Sequence, residues 1–328
     1  MKSTNIQHKR ISAPKGQVHL GLCCINNSLR KHKPVGSRKN VEVFCSRSMP
    51  RRTFSVERAK DFALKNIEDI TTLVDWNIAN NIHHLRLSSE IFPHFTDKET
   101  EPYTMDFAID ALRKAGDYCN RKNHRITMHP GQFNQVGAKN PDVFQHTVDD
   151  LSMHADILDY MDIDSTGILC VHGGGVYGDK EASTRRWIEQ FDDLPRKVKD
   201  RLAIENDEKC YSVRDCLTIA QACKIPMIYD THHHTCYHCH YNKNDLEEDI
   251  EDMMDEIVET WEGLPPVFHI SEQAPDKNVG AHSDFIEVIP QHLLDVPEKY
   301  NTSINIEVEA KAKEAAILKL MKKYKEIF

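Results

Sequence analysis

Eight short apolar runs with the length and composition of strands alternate with helical stretches from residue 17 to the C-terminal region, and that alternation restricts the possible folds more than any other feature. The runs are QVHLGLCCI (17–25), IHHLRLS (82–88), HRITMH (124–129), GILCVH (167–172), RLAIEN (201–206), PMIYDT (226–231), PVFHIS (266–271) and SINIEVEA (303–310). Helical stretches at 55–80, 104–121, 141–161, 181–193, 212–224 and 245–262 follow or separate them, and AKAKEAAILKLMKKYKEIF closes the chain as a last helix. In the first stretch Ala59, Phe62, Ala63, Ile67, Ile70 and Val74 form one apolar face, and the turn signal Lys139-Asn140-Pro141 opens the third. A length of 328 residues is ample for a (β/α)₈ barrel, which commonly takes about 250 residues plus insertions. The expected fold class is therefore α/β: a single-domain TIM barrel over 17–328, preceded by a basic flexible arm at 1–16. No internal repeat or low-complexity tract competes with that reading.

Histidines and carboxylates recur where these runs end: His129, His172, Glu205, Asp230, His269 and Glu309. The ends of parallel barrel strands converge on one face, so residues a hundred positions apart in sequence become neighbours there. Neutral imidazole nitrogens and carboxylate oxygens are the donors a divalent cation takes, and a carboxylate can bridge two ions. So many donors exceed one tetrahedral site, and two or more ions are expected. Asp230 and His233 stand three apart just past a strand, where a tight turn brings both to one ion.

The net charge of −9 conceals an asymmetry: residues 1–60 hold 14 Lys and Arg against Glu42 and Glu57, a local charge of +12 that leaves −21 for the rest. A basic segment of this kind attracts a phosphate backbone, with a solvated basic arm as the plainer alternative. At the other extreme, residues 245–260 carry nine acidic side chains and no basic one. Leu246, Ile250, Met253, Met254 and Ile257 fall there at helical spacing, which makes an amphipathic helix turned away from nucleic acid. No run approaches the roughly 18 apolar residues of a membrane span, and the N-terminus lacks an apolar signal region. The expectation is an intracellular protein, cytoplasmic or located wherever its nucleic acid is held, with no membrane partner and no obligate protein partner. Ten cysteines at irregular spacing then read as reduced thiols.

The segment THHHTCYHCH crowds His232, His233, His234, Cys236, His238, Cys239 and His240 together. Cys236 to His240 matches the C-x-x-C-H pattern of haem attachment, but that chemistry requires an export context. A separate zinc module would need a second matching pair at structural spacing. The expectation is that Asp230 and His233 face the barrel-top metals while the downstream thiols belong to a loop.

Taken together, LGLCCINNSLR (20–30), RLSSEIFPH (86–94), TMHPGQF (127–133), VHGGGVYGDK (171–180), AIENDE (203–208), YDTHHH (229–234), FHISEQ (268–273), GAH (280–282) and EAKAKE (309–314) resemble the UV damage endonucleases, which are related to the endonuclease IV group of DNA repair barrels. The resemblance extends from about residue 18 to 320. It implies metal ligands at His129, His172, Glu205, Asp230, His233, His269, His282 and Glu309, with Glu90 where some members have histidine. Val267 stands where some members carry a modified lysine. The implied cofactor is two or three Mn²⁺ ions, with Zn²⁺ or Co²⁺ as alternatives.

Implied contacts to damaged double-stranded DNA are Asn26, Gln132, Phe133, Tyr177 and Lys180, joined from the basic segment by Arg51 and Arg52; Arg185 and Arg186 are further candidates. Gln132-Phe133 would wedge into the duplex, an inserted ring replacing lost base stacking. A loop phenylalanine packed over its own core is the alternative. The glycines Gly173, Gly174 and Gly175 would permit close backbone approach. The implied reaction is hydrolysis of one phosphodiester 5′ to a UV photoproduct, leaving 3′-hydroxyl and 5′-phosphate ends. Glu205 is expected as the bridging carboxylate, Asp230 and Glu309 as holders of the second ion, and the ions as the source of water activation and charge neutralisation. The rival readings are an abasic-site endonuclease on the same barrel, a metal-dependent sugar isomerase or epimerase, and a noncatalytic DNA-binding protein.

Overall fold

All eight expected strands form, and they close in chain order into one parallel barrel. A computed structural model of the chain describes residues 18–30, 42–241 and 250–328. The expected arm at 1–16, the loop at 31–39 and the acidic stretch at 245–249 lie outside the described residues. The strands are β1 (Val18–Cys23), β2 (His84–Leu87), β3 (Arg125–Met128), β4 (Leu169–His172), β5 (Leu202–Glu205), β6 (Met227–Asp230), β7 (Val267–Ile270) and β8 (Ile304–Val308). Pairing of β1 with β8 over Val18 to Leu22 closes the ring.

The helices are α1 (Asn27–Arg30), α2 (Val56–Ala79), α3 (Ile109–Arg121), α4 (Pro141–Tyr160), α5 (Lys180–Phe191), α6 (Arg196–Lys199), α7 (Val213–Cys223), α8 (Thr231–Tyr241), α9 (Ile250–Glu259), α10 (Gln291–Tyr300) and α11 (Glu314–Lys323). Their starts follow local chemistry. Ser55, Asn140 and Asp179 accept backbone N–H groups at the first turns of α2, α4 and α5, and Ser212 with Asp215 makes a reciprocal capping box on α7. Pro141 at the head of α4 has its missing donor where no helical bond is needed. The α2 face buries Ile67, Ile70, Leu73 and Val74 against the barrel, each worth about 1.5–3 kcal/mol relative to exposure. Met253, Met254 and Ile257 are the buried face of α9, as their spacing predicts.

Two segments depart from the sequence reading. The stretch after β6 is not a loop: α8 begins directly at Thr231, and the Asp230 carboxylate takes the His233 N–H at 2.6 Å in the manner of a helix cap. Cys236 is thus buried on a helix, and Cys239 is exposed one turn on. Helix α10, unanticipated, carries Pro297 in its interior. Among the described residues, no helix is long and apolar enough to cross a membrane.

Candidate metal centre

At the C-terminal ends of the strands, side chains from five consecutive ones gather around Glu205, the last residue of β5 and fully buried. Strand pairing sets His172 level with Glu205 and Asp230 level with His269, so the donors share one layer. His129 follows β3 directly and precedes Pro130, which has no N–H to continue a ladder. His172 is followed by three glycines, of which Gly173 is required: a Cβ there would lie 2.4 Å from the Tyr211 ring. Gly174 adopts φ +87°, a conformation costly for any other residue.

Glu205 is shared between two groups of donors. His129 Nε2 and His172 Nε2 stand 2.9 and 3.2 Å from its Oε2, while His269 Nδ1 and His233 Nδ1 stand 2.8 and 3.5 Å from its Oε1. One group is His129, Cys170, Glu205 and His269, the other His172, Glu205 and His233, with ligand atoms within 4.8 Å of one another in each. Glu309, just past β8, brings Oε1 to 3.7 Å from His269 Nδ1. His282 comes from the return after β7, where Gln273 bridges to it, and its Nδ1 lies 3.7 Å from Glu309 Oε2.

Burial alone would push the Glu205 carboxyl up, but His269 and His172 outweigh it and hold the group well below its ordinary range. Burial disfavours charge on His269 and His233 too. Glu205 with Glu307 for His269, and Asp230 with Glu205 for His233, override it and raise both well above the usual imidazole value. Four imidazoles crowding one carboxylate, with Asp230 Oδ2 buried and unpartnered, are a donor set suited to divalent cations.

Not every expected residue joins this layer. Glu90 is exposed and lines a groove of about 750 Å³ with Phe133 and His146; it belongs to none of the tight donor groups. Phe133 is 51% exposed, with its ring 5.5 Å from that of His146, and Gln132 beside it is exposed. The core-packing alternative for Phe133 is thereby removed. Tyr177 is 47% exposed, and its hydroxyl donates to Gln135 at 2.6 Å, tying the loop after β4 to the loop after β3.

Three expected DNA contacts are otherwise engaged. Asn26 is fully buried and accepts the Leu29 N–H at 2.9 Å, so its side chain is not at the surface. Lys180 Nζ is held by Asp215 at 2.8 Å and the Tyr237 hydroxyl at 2.7 Å. Arg51 pairs with Asp97 at 2.6 Å and with Glu99. Arg52 is exposed. Arg185 is exposed as well, whereas Arg186 Nε donates to the Gly137 carbonyl at 2.8 Å.

Among and beside the donors stand residues the sequence reading passed over. The Cys170 thiol donates to Glu205 Oε2 at 3.1 Å, and Arg86 bridges Glu307 and Glu309. A usable signal exists for most of them: Cys170 lies two residues before His172 and Glu307 two before Glu309, so each pair shares a strand face. Val267, two before His269, packs with Ile168, Cys170, Ala203, Ile228 and Trp261 in a small apolar cluster.

The family described as "UV-endonuclease UvdE" matches residues 18–328. A protein of Acanthamoeba polyphaga mimivirus, provisionally given the same activity, is 33% identical over 320 residues, covering 94% of this chain and 92% of its own. The UV-damage endonuclease of Schizosaccharomyces pombe is 32% identical over 93% of this chain, which spans 50% of that longer protein. Among solved structures, SacUVDE superposes with TM-score 0.79 at 28% identity, covering 94% of this chain and 99% of its own. Endonuclease IV from Thermus thermophilus shares the fold at TM-score 0.52 and 14% identity, covering 78% of this chain and 94% of its own.

Proposed function

The chain belongs to the UV-endonuclease UvdE family of DNA repair endonucleases, and from that premise we propose that it nicks damaged double-stranded DNA on the 5′ side of UV photoproducts by multi-metal hydrolysis. The observation that carries the metal reading is the sharing of one buried carboxylate, Glu205, between two groups of imidazoles. His129, His172, His233, His269 and His282 would hold two or three Mn²⁺ ions with Glu205, Asp230 and Glu309, and Zn²⁺ or Co²⁺ would suit the same donors. When bound, the ions supply activation of water and neutralisation of charge on the scissile phosphate.

The chain's own residues have three tasks. Glu205, kept ionised by the imidazoles around it, would be the carboxylate shared between the ions held by the two groups of donors. Asp230 and Glu309 add negative charge beside His233 and His269, and the rings of His129, His172, His233 and His269 pack tilted or edge-on against one another around the carboxylate. Phe133, exposed beside the centre in sequence and on the rim of a groove, is suited to probe a duplex for weakened stacking, with Gln132 next to it. Of the arginines and the lysine expected to meet DNA, Arg52 and Arg185 are exposed and suited to phosphate contacts, which position a duplex without reading its sequence. Glu90 enters this reading as an outer carboxylate at the groove.

The test is to incubate the protein with end-labelled duplexes carrying a photoproduct, an abasic site or no lesion, with Mn²⁺, Zn²⁺ or Co²⁺ in turn. Cleavage 5′ to the photoproduct, leaving a 3′-hydroxyl, is the expected result. Cleavage confined to the abasic duplex would replace the lesion assignment, and full activity in excess chelator would refute the metal mechanism.

A further inference from the structure

His269 is the one imidazole of the centre with both ring nitrogens facing carboxylates. Its Nδ1 stands 2.8 Å from Glu205 Oε1 and 3.7 Å from Glu309 Oε1, whereas Nε2 stands 3.1 Å from Glu307 Oε2 without the alignment of a hydrogen bond, and has no other partner. The β7–β8 register sets His269 directly beside Glu307, so this contact is built into the strand pairing. Glu307 is 1% exposed and stands level with His269 on the neighbouring strand, two residues before Glu309, with which and Cys23 it also forms a close group of donors.

We propose that Glu307 is a positioning residue for the metal centre: a small turn of the His269 ring lets it take the Nε2–H, its buried and otherwise unpartnered neighbour, and so presents the Nδ1 lone pair to a divalent cation. The inference rests on the metal reading given under Proposed function. A neutral imidazole has one donor and one acceptor nitrogen, and a carboxylate on one side decides which is which. It also stops rotation of the ring, whose last torsion is otherwise broad. Ligating histidines commonly receive such support, and its removal weakens metal binding without removing a ligand.

Glu307 is itself fixed from three sides. The Thr127 hydroxyl donates to its Oε1 at 2.6 Å, Arg86 Nη1 lies 3.0 Å from Oε2, and His84 Nε2 lies 3.2 Å from Oε1. His84 also sits 2.8 Å from the Thr127 hydroxyl, so the two neighbours brace each other. Arg86 reaches past Glu307 to pair with Glu309, tying the support to a second proposed ligand. A carboxylate this well held cannot swing away from His269 when a cation draws on the other nitrogen.

The experiment strips wild type, Glu307→Gln and Thr127→Val of metal and titrates each with Zn²⁺ and Mn²⁺ against a chromophoric chelator, counting ions per chain. Glu307→Gln is expected to bind one class of ion about 10- to 100-fold more weakly. Its cleavage should return at high metal, with duplex affinity unchanged. Thr127→Val, which loosens Glu307 without touching His269, should weaken the same class by less, and it serves if the glutamine variant does not fold. In parallel, ¹⁵N-histidine spectra of the zinc-loaded wild type should show His269 as the Nε2–H tautomer. A role in core packing alone predicts lower thermal stability with unaltered metal affinity, and that result, or an Nδ1–H tautomer, overturns the proposal. A wild type that takes up no metal would overturn the metal reading along with it, whereas equal uptake by wild type and Glu307→Gln sinks only this inference.

Discussion

The lower end of the barrel should make the fold acid-sensitive, and His124→Gln isolates the effect. His124 is fully buried, with Nε2 3.3 Å from Asn77 Nδ2 and Nδ1 without a partner. Burial, then the nearby His84 and His83, lowers its pKa to about 3, and burial with the same neighbours and Arg125 lowers that of His19 to about 4. In the unfolded chain each titrates near 6.5. Between those values the unfolded state binds a proton that the folded state refuses, so stability is complete above about pH 6.5 and is lost as pH falls toward the folded pKa. Each such histidine costs about 1.4 kcal/mol per pH unit in that window. From pH 7 to pH 5 His124 therefore removes about 2 kcal/mol, since only the 1.5 units or so below 6.5 count. Urea unfolding of metal-depleted wild type and His124→Gln at both pH values gives the quantity directly. Glutamine can still accept from Asn77 but does not titrate, so the variant should lose about 2 kcal/mol less than wild type over the same interval. Parallel pH profiles for the two proteins would refute the argument.

Other consequences concern DNA. Phe133→Ala should lower the ratio of affinities for photoproduct and intact duplex while metal content stays unchanged; an unaltered ratio removes Phe133 from recognition. Gly131→Ala should reproduce part of that loss, because an added Cβ would come within 2.4 Å of the Phe133 ring and displace it. In salt titrations of duplex binding, Arg52→Ala should flatten the log-affinity against log-salt slope by roughly 0.9 as one phosphate contact is lost. Arg51→Ala should change it less, since Asp97 and Glu99 already neutralise that guanidinium. Equal slopes for wild type and Arg52→Ala would mean that Arg52 is merely solvated.

Much of this architecture is legible in the sequence because strands buried on both faces are short, apolar and sharply bounded. Every expected run contains the strand that forms, and His129, His172, Glu205, Asp230, His269 and Glu309 stand at or next to the ends of six of them. Helix α8 escaped because its histidines, cysteines and threonines give no apolar stripe, and its start is fixed by Asp230, a residue that also belongs to the site. Helix α10 escaped because Pro297 reads as a breaker. Charge partners are the harder problem. Lys180 and Arg51 look like free cations along the chain, but Asp215 and Asp97, 35 and 46 residues away, meet them only after folding. Arg86 has the opposite history: a charge inside an apolar strand, tolerable only because Glu307 and Glu309 converge on it from β8 and its end.

The central claim is that one buried carboxylate unites the metal centre of a DNA repair nuclease, and Glu205→Gln tests it most directly. The change removes the charge that faces four imidazoles while keeping the shape of the side chain. Bound metal per chain and the rate of nicking at a photoproduct should be measured together, with Mn²⁺ in excess. The account predicts reduced metal content and no detectable nicking, with duplex affinity within a few fold of wild type. Wild-type nicking by Glu205→Gln at saturating Mn²⁺ would contradict it.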